Sequence, residues 1–365
     1  MPSLATFNAN NLFLRYKFMR NFPGAHSPQS QVEAAEVGLH GYLPGTAFGQ
    51  HPPGSYVIWD ADRRVLLTRA LKEPDGQLPE ILCLQEVENI QAIRVLNERY
   101  LDCHYPYSLL IDGHDPRNID VGILSRFPIR GIRSQIDELG SDGKRIFSRD
   151  CLEAQVELPG GEAITVLVNH LKSKFVEDSD NQDDVRASHE RRMAQAEWIA
   201  SYVHKRFEGQ HTTALYAVVG DFNDTPESPW LAALVGSPHL TDVLSAHRPL
   251  DNRWTYYYRA RNRVSQIDYV LASRALADRV SLAASDPAKA PCIVRHGIGY
   301  RELNADQEIL PERANLVHFE DDGVTPVPPS FTPSSRVPFR FDRYPEVKAD
   351  WRRNISDHCP VKIWF

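Results

Sequence analysis

Cysteine is scarce in this 365-residue chain: Cys83, Cys103, Cys151, Cys292 and Cys359 are odd in number, widely spaced and free of any C-x-x-C pair. That excludes a disulfide framework and points to a reduced compartment. Long apolar stretches are missing too, and no uncharged run reaches the roughly 18 residues of a membrane helix. The opening Met1-Pro2-Ser3-Leu4-Ala5-Thr6 has neither a basic start nor an apolar signal core, so the expected location is cytoplasmic. Positive charge is not in excess. The 41 Lys and Arg against 48 Asp and Glu leave a net −7, which excludes a non-specific basic coat for nucleic acid. A phosphate substrate stays open, because clustered carboxylates can hold a divalent cation that supplies positive charge locally.

What is present is ordinary globular material, 42% apolar and 24% charged. Short β-branched runs predict strands at 4–8, 80–84, 121–125, 152–156, 163–169, 215–219, 255–258, 266–271 and 361–365. Helical patterns fall at 61–71, 90–100, 185–206 and 229–235. In the third of these, Met193, Ala196, Ile199, Ala200 and Val203 recur at helical spacing. Strands mixed with helices along the whole length predict one α/β domain over 1–365. Two irregular segments, about 15–56 and 285–354, read as insertions. Six prolines between Thr325 and Pro345 make part of the second a loop excursion.

The informative pattern is positional. Nearly every predicted strand ends in residues able to bind a metal or a phosphate: Asn8, Asn10 and Asn11; Gln85 and Glu86; Asn169 and His170; Asp221, Asn223 and Asp224. Arg117, Asn118 and Asp120 precede a strand, Asp268 lies in Gln266-Ile-Asp268-Tyr, and Ser356-Asp357-His358 precedes the last strand. Each fragment alone has a plain explanation: an Asn after a strand is ordinarily a turn residue, and a lone His is ordinarily a satisfied, partly buried one. Their recurrence at seven strand ends is what a structural role explains badly. Oxygen donors from Asn and carboxylates suit Mg²⁺ or Mn²⁺, whereas zinc prefers Cys and more His. A carboxylate to activate water and a histidine steadied by an aspartate complete the requirements of phosphoryl transfer.

These motifs, in this order, resemble the endonuclease/exonuclease/phosphatase superfamily with its DNase I-like fold: F-N-A-N (7–10), L-Q-E (84–86), N-I-D-V-G-I-L-S-R (118–126), N-H (169–170), G-D-F-N (220–223), Q-I-D-Y (266–269) and S-D-H-C-P (356–360). The resemblance implies a four-layer α/β sandwich, two mixed sheets packed face to face with helices outside. It implies metal ligands at Asn8, Glu86 and Asp357, with Asn10 assisting. Asp221 and Asn223 fall on the pair that positions and deprotonates water, His358 on the histidine at the scissile phosphate, and Asp268 on its orienting aspartate. His170 falls on a second catalytic histidine, with Asp120 as its expected carboxylate partner, and Arg117 and Asn118 on phosphate-touching positions.

The run N-H-L-K-S-K (169–174), followed by D-N-Q (180–182) and R-x-x-Q-A (192–196), looks like bacterial non-specific nucleases of that superfamily. The resemblance therefore implies a Mg²⁺- or Mn²⁺-dependent phosphodiesterase with nucleic acid, DNA first, as substrate. R-W-T-Y-Y-Y-R (253–259) offers stacking aromatics beside cations, or equally a strand with core tyrosines. R-V-P-F-R-F-D-R-Y (336–344), with Arg336, Arg340 and Arg343, offers a contact for a polyanion, or equally a surface loop packed on the sandwich. Abasic-site endonucleases carry a Trp just before the counterpart of Q-I-D-Y; Ser265 and Gln266 stand there in this chain. Two other readings remain at this stage: a small-molecule or phospholipid phosphodiesterase or phosphatase, which the net −7 favours, and a binding protein that has lost catalysis.

Overall fold

The computed structural model describes residues 1–13, 16–18, 56–58, 61–174, 182–258, 263–296, 318–319, 326–327 and 355–365. Most of both insertions, Arg340 included, lies outside these residues. The strands are β1 (Ser3–Leu12), β2 (Tyr16–Phe18), β3 (Tyr56–Ile58), β4 (Ile81–Val87), β5 (Tyr107–Leu110), β6 (Asp120–Ser125), β7 (Ile129–Arg133), β8 (Leu152–Glu157) and β9 (Ala163–His170). They continue with β10 (Leu215–Asp221), β11 (Thr241–Asp242), β12 (Tyr256–Tyr258), β13 (Arg263–Ser265), β14 (Asp268–Ala272), β15 (Cys292–Ile293), β16 (His318–Phe319), β17 (Pro326–Val327) and β18 (Val361–Trp364). The helices are α1 (Ala61–Leu71), α2 (Ile90–Tyr100), α3 (Gln182–Arg206), α4 (Ala232–Val235), α5 (Val243–His247) and α6 (Arg274–Ala283).

Two six-stranded sheets carry the fold, in the orders β15-β18-β1-β4-β6-β5 and β11-β14-β10-β9-β8-β7. Both have the same plan. A central parallel pair (β1 with β4, β9 with β10) is flanked on each side by antiparallel strands. A parallel pair needs a crossover, and helices supply it: α1 between β1 and β4, α3 between β9 and β10. The short pair β2–β3 ties together the two ends of the first insertion.

Alternation along the strands explains the layering. In β10, Leu215, Ala217 and Val219 point into the core shared with the first sheet, while Tyr216 and Val218 point outward. In β9, Ile164, Val166 and Val168 face inward and Leu167 outward. The outward set is covered by Ala196, Ile199 and Val203 of α3, the helical stripe predicted from sequence. On the other side Leu67, Ala70, Leu71, Ala92, Ile93 and Leu96 of α1 and α2 join the shared core. Layers therefore run helix, sheet, sheet, helix, as expected. Each fully buried Leu, Val or Ile in this core stabilises it by roughly 1.5–3 kcal/mol.

Local signals set the helix ends. Asn89 caps α2, its side chain accepting from the Ala92 N–H at 3.0 Å, and Ser273 caps α6 through Leu276 N–H at 3.3 Å. Asp183 and Asp184 open α3 while His204, Lys205 and Arg206 close it, matching the helix dipole. The stretch expected as a helix over 229–235 begins as a 3₁₀ turn, Pro229–Leu231, capped by Ser228, before α4. Among the described residues no helix is long and apolar enough to cross a membrane.

Candidate active site

The two parallel pairs explain why distant residues meet. Parallel neighbours end at the same side of a sheet, so β1, β4, β9 and β10 all deliver their C-terminal ends to one rim. The antiparallel strands β6, β14 and β18 begin there. Register makes this concrete: Asp221 lies opposite His170 in β9 and opposite Asp268 in β14, and Asn8 lies opposite Gln85. The β1–β4 ladder breaks between Asn8 and Leu12, and the β4–β6 ladder between Gln85 and Val87, irregularities that re-aim side chains at strand ends.

Backbone strain collects at the same rim. Among the described residues seven non-glycines have positive φ, and Asn10, Asn11, Glu86, Asn118 and Asn223 are five of them. Such conformations persist only where surrounding contacts enforce them, and their clustering marks a functional constraint. Gly220 (φ 131°) is a separate case: a Cβ there would fall onto the Asn169 carbonyl oxygen, so no side chain fits between β9 and β10 just before Asp221.

Asp221 is the hub. It is buried, and its Oδ2 accepts from Asn8 Nδ2 at 2.9 Å while Oδ1 accepts from the Asn223 N–H at 2.8 Å. His170 Nε2 lies 3.4 Å and His358 Nε2 3.7 Å from Oδ2. Burial pushes the Asp221 carboxyl well up from the ordinary carboxylate range; His358 opposes that and Asp268 adds to it. His358 Nδ1 sits 3.0 and 3.2 Å from the two oxygens of buried Asp268. A carboxylate can only accept, so Nδ1 carries the proton and Nε2 is the atom that titrates toward Asp221. Burial pulls the His358 pKa down, but Asp268, Asp221 and Asp357 together hold it well above the usual histidine value. His170 is the opposite case: burial first, then Arg149, His358 and Arg117, keep it neutral.

The oxygen donors lie beside this group. Asn8 Oδ1 accepts from the Asn10 N–H (2.9 Å), Asn10 Nδ2 donates to Asp357 Oδ1 (2.9 Å), and the Asn11 N–H donates to Glu86 Oε2 (3.0 Å). The Asn10 amide oxygen accepts from Asn11 Nδ2, so Asn10 braces Asp357 more than it offers a donor of its own. Burial and the Asp357 carboxylate both raise the Glu86 pKa. Two carboxylates repelling each other next to an amide oxygen are the setting a hard divalent cation neutralises, and an all-oxygen set fits Mg²⁺ or Mn²⁺. Asp221, Asp268 and His358 also bring ligand atoms within 4.8 Å of one another, but His358 Nδ1 is already committed to Asp268.

Other expected residues are placed differently. Asp120 does not partner His170: its Oδ1 accepts from the Gly113 N–H at 3.0 Å, while buried His170 Nδ1 has no hydrogen-bond partner among the described residues. The carboxylate that register gives His170 is Asp221, directly opposite it across the β9–β10 ladder. Burial raises the Asp120 carboxyl to about 7, with Asp112 and Asp115 adding to it. Arg117 and Asn118 are exposed on the loop before β6, Arg117 Nε lying 3.6 Å from Asp115. Asn223 turns its side chain away, Nδ2 donating to the Leu171 carbonyl at 3.1 Å. In the aromatic run, Trp254 and Tyr257 belong to the core, and Tyr256 alone of these three stands against His358, ring centroids 4.8 Å apart. Arg192 is fully buried, binding Asp224 (2.9 Å) and the Lys172 carbonyl (2.7 Å), while Gln195 accepts from the Lys172 N–H (2.8 Å). The R-x-x-Q-A motif thus positions the loop after His170 and the G-D-F-N-D turn.

Arg149 was not singled out from sequence. It is buried, donates from Nε to Asp115 at 2.9 Å and from Nη1 to the Leu171 carbonyl at 3.1 Å, and its charge acts on Glu86, His170 and Asp120. The signal was available: a strand antiparallel to β9 must begin at the rim where β9 ends, and Arg149 lies just before β8.

Comparison with known proteins follows from this geometry. The description "Endonuclease/Exonuclease/phosphatase family" matches residues 5–358. The chain belongs to that family. Family members are divalent-metal-dependent hydrolases of phosphoric esters. Among solved structures, beta toxin 275-280 from Staphylococcus aureus is similar at 13% identity and TM-score 0.49, covering 99% of each chain. Truncated TDP2 from Caenorhabditis elegans is similar at 14% and 0.48, over 99% of this chain and 95% of that one. The endonuclease/exonuclease/phosphatase from Beutenbergia cavernae DSM 12333 is similar at 14% and 0.48, over 99% and 70%. No curated protein matches the chain.

Proposed function

We propose that this member of the endonuclease/exonuclease/phosphatase family is a Mg²⁺- or Mn²⁺-dependent phosphodiesterase that hydrolyses nucleic acid, DNA first, by in-line attack of water. The observation that supports it most is the meeting of Asn8, Glu86, Asp221, Asp268, His358 and Asp357 at one rim, from five separate strands and loops. Glu86, Asp357 and the Asn8 amide oxygen are the residues to hold the ion, with Asn10 as brace. When bound, the ion supplies Lewis-acid stabilisation of the phosphoryl and leaving oxygens.

The chain's own groups do the rest. Asp221, its carboxyl already raised by burial, takes the proton of the attacking water at Oδ2, and the Asn8 amide and Asn223 N–H hold that carboxylate in place. His358, kept protonated by Asp268, presents Nε2 to the charge that builds on the phosphate. Neutral His170 adds a hydrogen-bonding ring from the opposite side of Asp221. Arg149, Arg117 and Lys172 bring positive charge among the carboxylates of the rim, with Asp115 pairing both arginines. Tyr256 offers one stacking face next to His358.

The net charge favours a second reading, a small phosphodiester or phospholipid headgroup on the same site. One comparison separates them: rates with Mn²⁺ on plasmid DNA, a single-stranded oligonucleotide, an artificial phosphodiester and an inositol phosphate. The polynucleotide reading expects the first two to exceed the others in kcat/KM. Preference for inositol phosphate or the artificial diester overturns it, and inactivity on all four removes the phosphodiesterase reading.

A further inference from the structure

Three histidines outside the rim converge on the outer side of the second sheet: His204 in the last turn of α3, His211 in the turn before β10, and His239 ahead of β11. One ring nitrogen from each lies within 4.8 Å of the other two, and His204 Nδ1 is 3.1 Å from His239 Nε2. The His211 and His239 rings stack with centroids 3.7 Å apart. At roughly 3.3 Å per residue, the length of β10 puts this cluster about 20 Å from Asp221.

The hydrogen bonds fix which atoms are free. Tyr216 Oη donates its single proton to the His239 carbonyl, which can only accept, at 3.2 Å. His211 Nδ1, 3.1 Å from the same Oη, must therefore be the donor in that contact. His211 is thus the Nδ1–H tautomer with a bare lone pair on Nε2, and that Nε2 is buried with no hydrogen-bond partner among the described residues. A buried, orphaned ring nitrogen beside two other imidazoles, with its remote nitrogen held by a buried tyrosine, is the second-sphere pattern of a metal-binding histidine.

We infer that His204, His211 and His239 form a binding site for a borderline transition-metal ion of the Zn²⁺ class, separate from the catalytic rim. Ligand nitrogens on tetrahedral zinc stand roughly 3.3–3.4 Å apart, from Zn–N bonds of about 2.0–2.1 Å. His204 and His239, hydrogen-bonded at 3.1 Å, stand slightly inside that spacing and part to admit the ion, and His211 joins them by tilting out of its stack with His239, which its half-exposed position permits. Water fills the fourth place. The ion ties the end of α3 and its following turn to the lead-in of β11, clamping the end of β10 remote from Asp221.

The test is zinc titration of the whole chain, freed of metal, against a chromogenic chelator, with parent, Glu86→Gln, His204→Ala, His239→Gln and Tyr216→Phe proteins. The expected result is one zinc equivalent in the parent and in Glu86→Gln. Affinity falls at least about 100-fold in His239→Gln and His204→Ala, and about 10- to 100-fold in Tyr216→Phe, which keeps all three rings. A zinc-dependent rise in melting temperature is present in the parent and lost in His204→Ala, and phosphodiesterase activity with Mg²⁺ is the same in both. His204 is exposed on the helix, so its variant decides the matter if His239→Gln fails to fold. Equal zinc uptake by parent and His204→Ala, loss of the zinc in Glu86→Gln, or no uptake by the parent each overturns the site.

Discussion

Asp221 and His358 carry opposite demands in one buried space, and single substitutions separate them. His358→Ala and Asp221→Asn each lower kcat by at least about a hundredfold while circular dichroism stays that of the parent; full activity in either removes the role assigned. Asp268→Asn keeps an acceptor for His358 Nδ1 but removes the charge that raises its pKa. Its alkaline limb of kcat/KM moves to lower pH, and a pH–rate series on both proteins checks this. The sign for stability follows: a raised histidine contributes fully below its unfolded pKa of about 6.5 and loses that contribution as pH rises through the folded value. Asp268→Asn therefore melts lower than the parent at pH 6, and the gap narrows as the solution becomes alkaline. Glu86→Gln works the other way. Burial and Asp357 disfavour the Glu86 charge, so without metal the Gln variant melts higher than the parent, yet it needs at least about tenfold more Mg²⁺ for half-maximal rate.

At the scale of elements, the strand ends matter more than the strands. Gly220→Ala drives a methyl group into the Asn169 carbonyl and costs about 2–3 kcal/mol, read as a shift in the denaturant midpoint; an unchanged midpoint would show that β9 and β10 can part there. Asp120, raised to about 7 by burial, costs stability progressively as pH rises from its unfolded value of about 3.9 and fully above about 7, so Asp120→Asn gains melting temperature at pH 8 and nothing at pH 3. The central strands were legible as short apolar, β-branched runs buried on both faces, and the helix over 90–100 by the spacing of Ala92, Ile93 and Leu96. The missed ones were edges and late helices: β5 and β7 show mostly exposed or half-buried residues, and β11 and β15 have two residues each. Edge strands take their conformation from a neighbour's hydrogen bonds and need no apolar signature of their own.

The whole molecule sets the substrate question. Its net charge is −7 and its rim sets Arg149, Arg117 and Lys172 among several carboxylates, so the proposed binding of a polyanion rests on a few local cations and is salt-sensitive. Replacing Arg336, Arg340 and Arg343 by Ala is expected to raise KM for polynucleotide and flatten its salt dependence by about one in slope for each phosphate no longer neutralised. Turnover of a small phosphodiester stays as it was. Unchanged polynucleotide KM and salt slope would remove that segment from substrate binding.

The sequence by itself determined the chemistry available: which residue types stand at strand ends, in an order that resembles one family, with oxygen donors suited to a hard cation. It also determined the layers, since alternation and helical spacing are properties of neighbouring residues. Partnership was decided only by the tertiary structure. That His170 faces Asp221 and not Asp120, that Arg149 stands among the carboxylates, and that His204, His211 and His239 share one spot all depend on strand register and on which sheet each residue joins. Alternation along a strand fixes which face each residue takes, but which distant strands become neighbours is decided only when the sheets assemble.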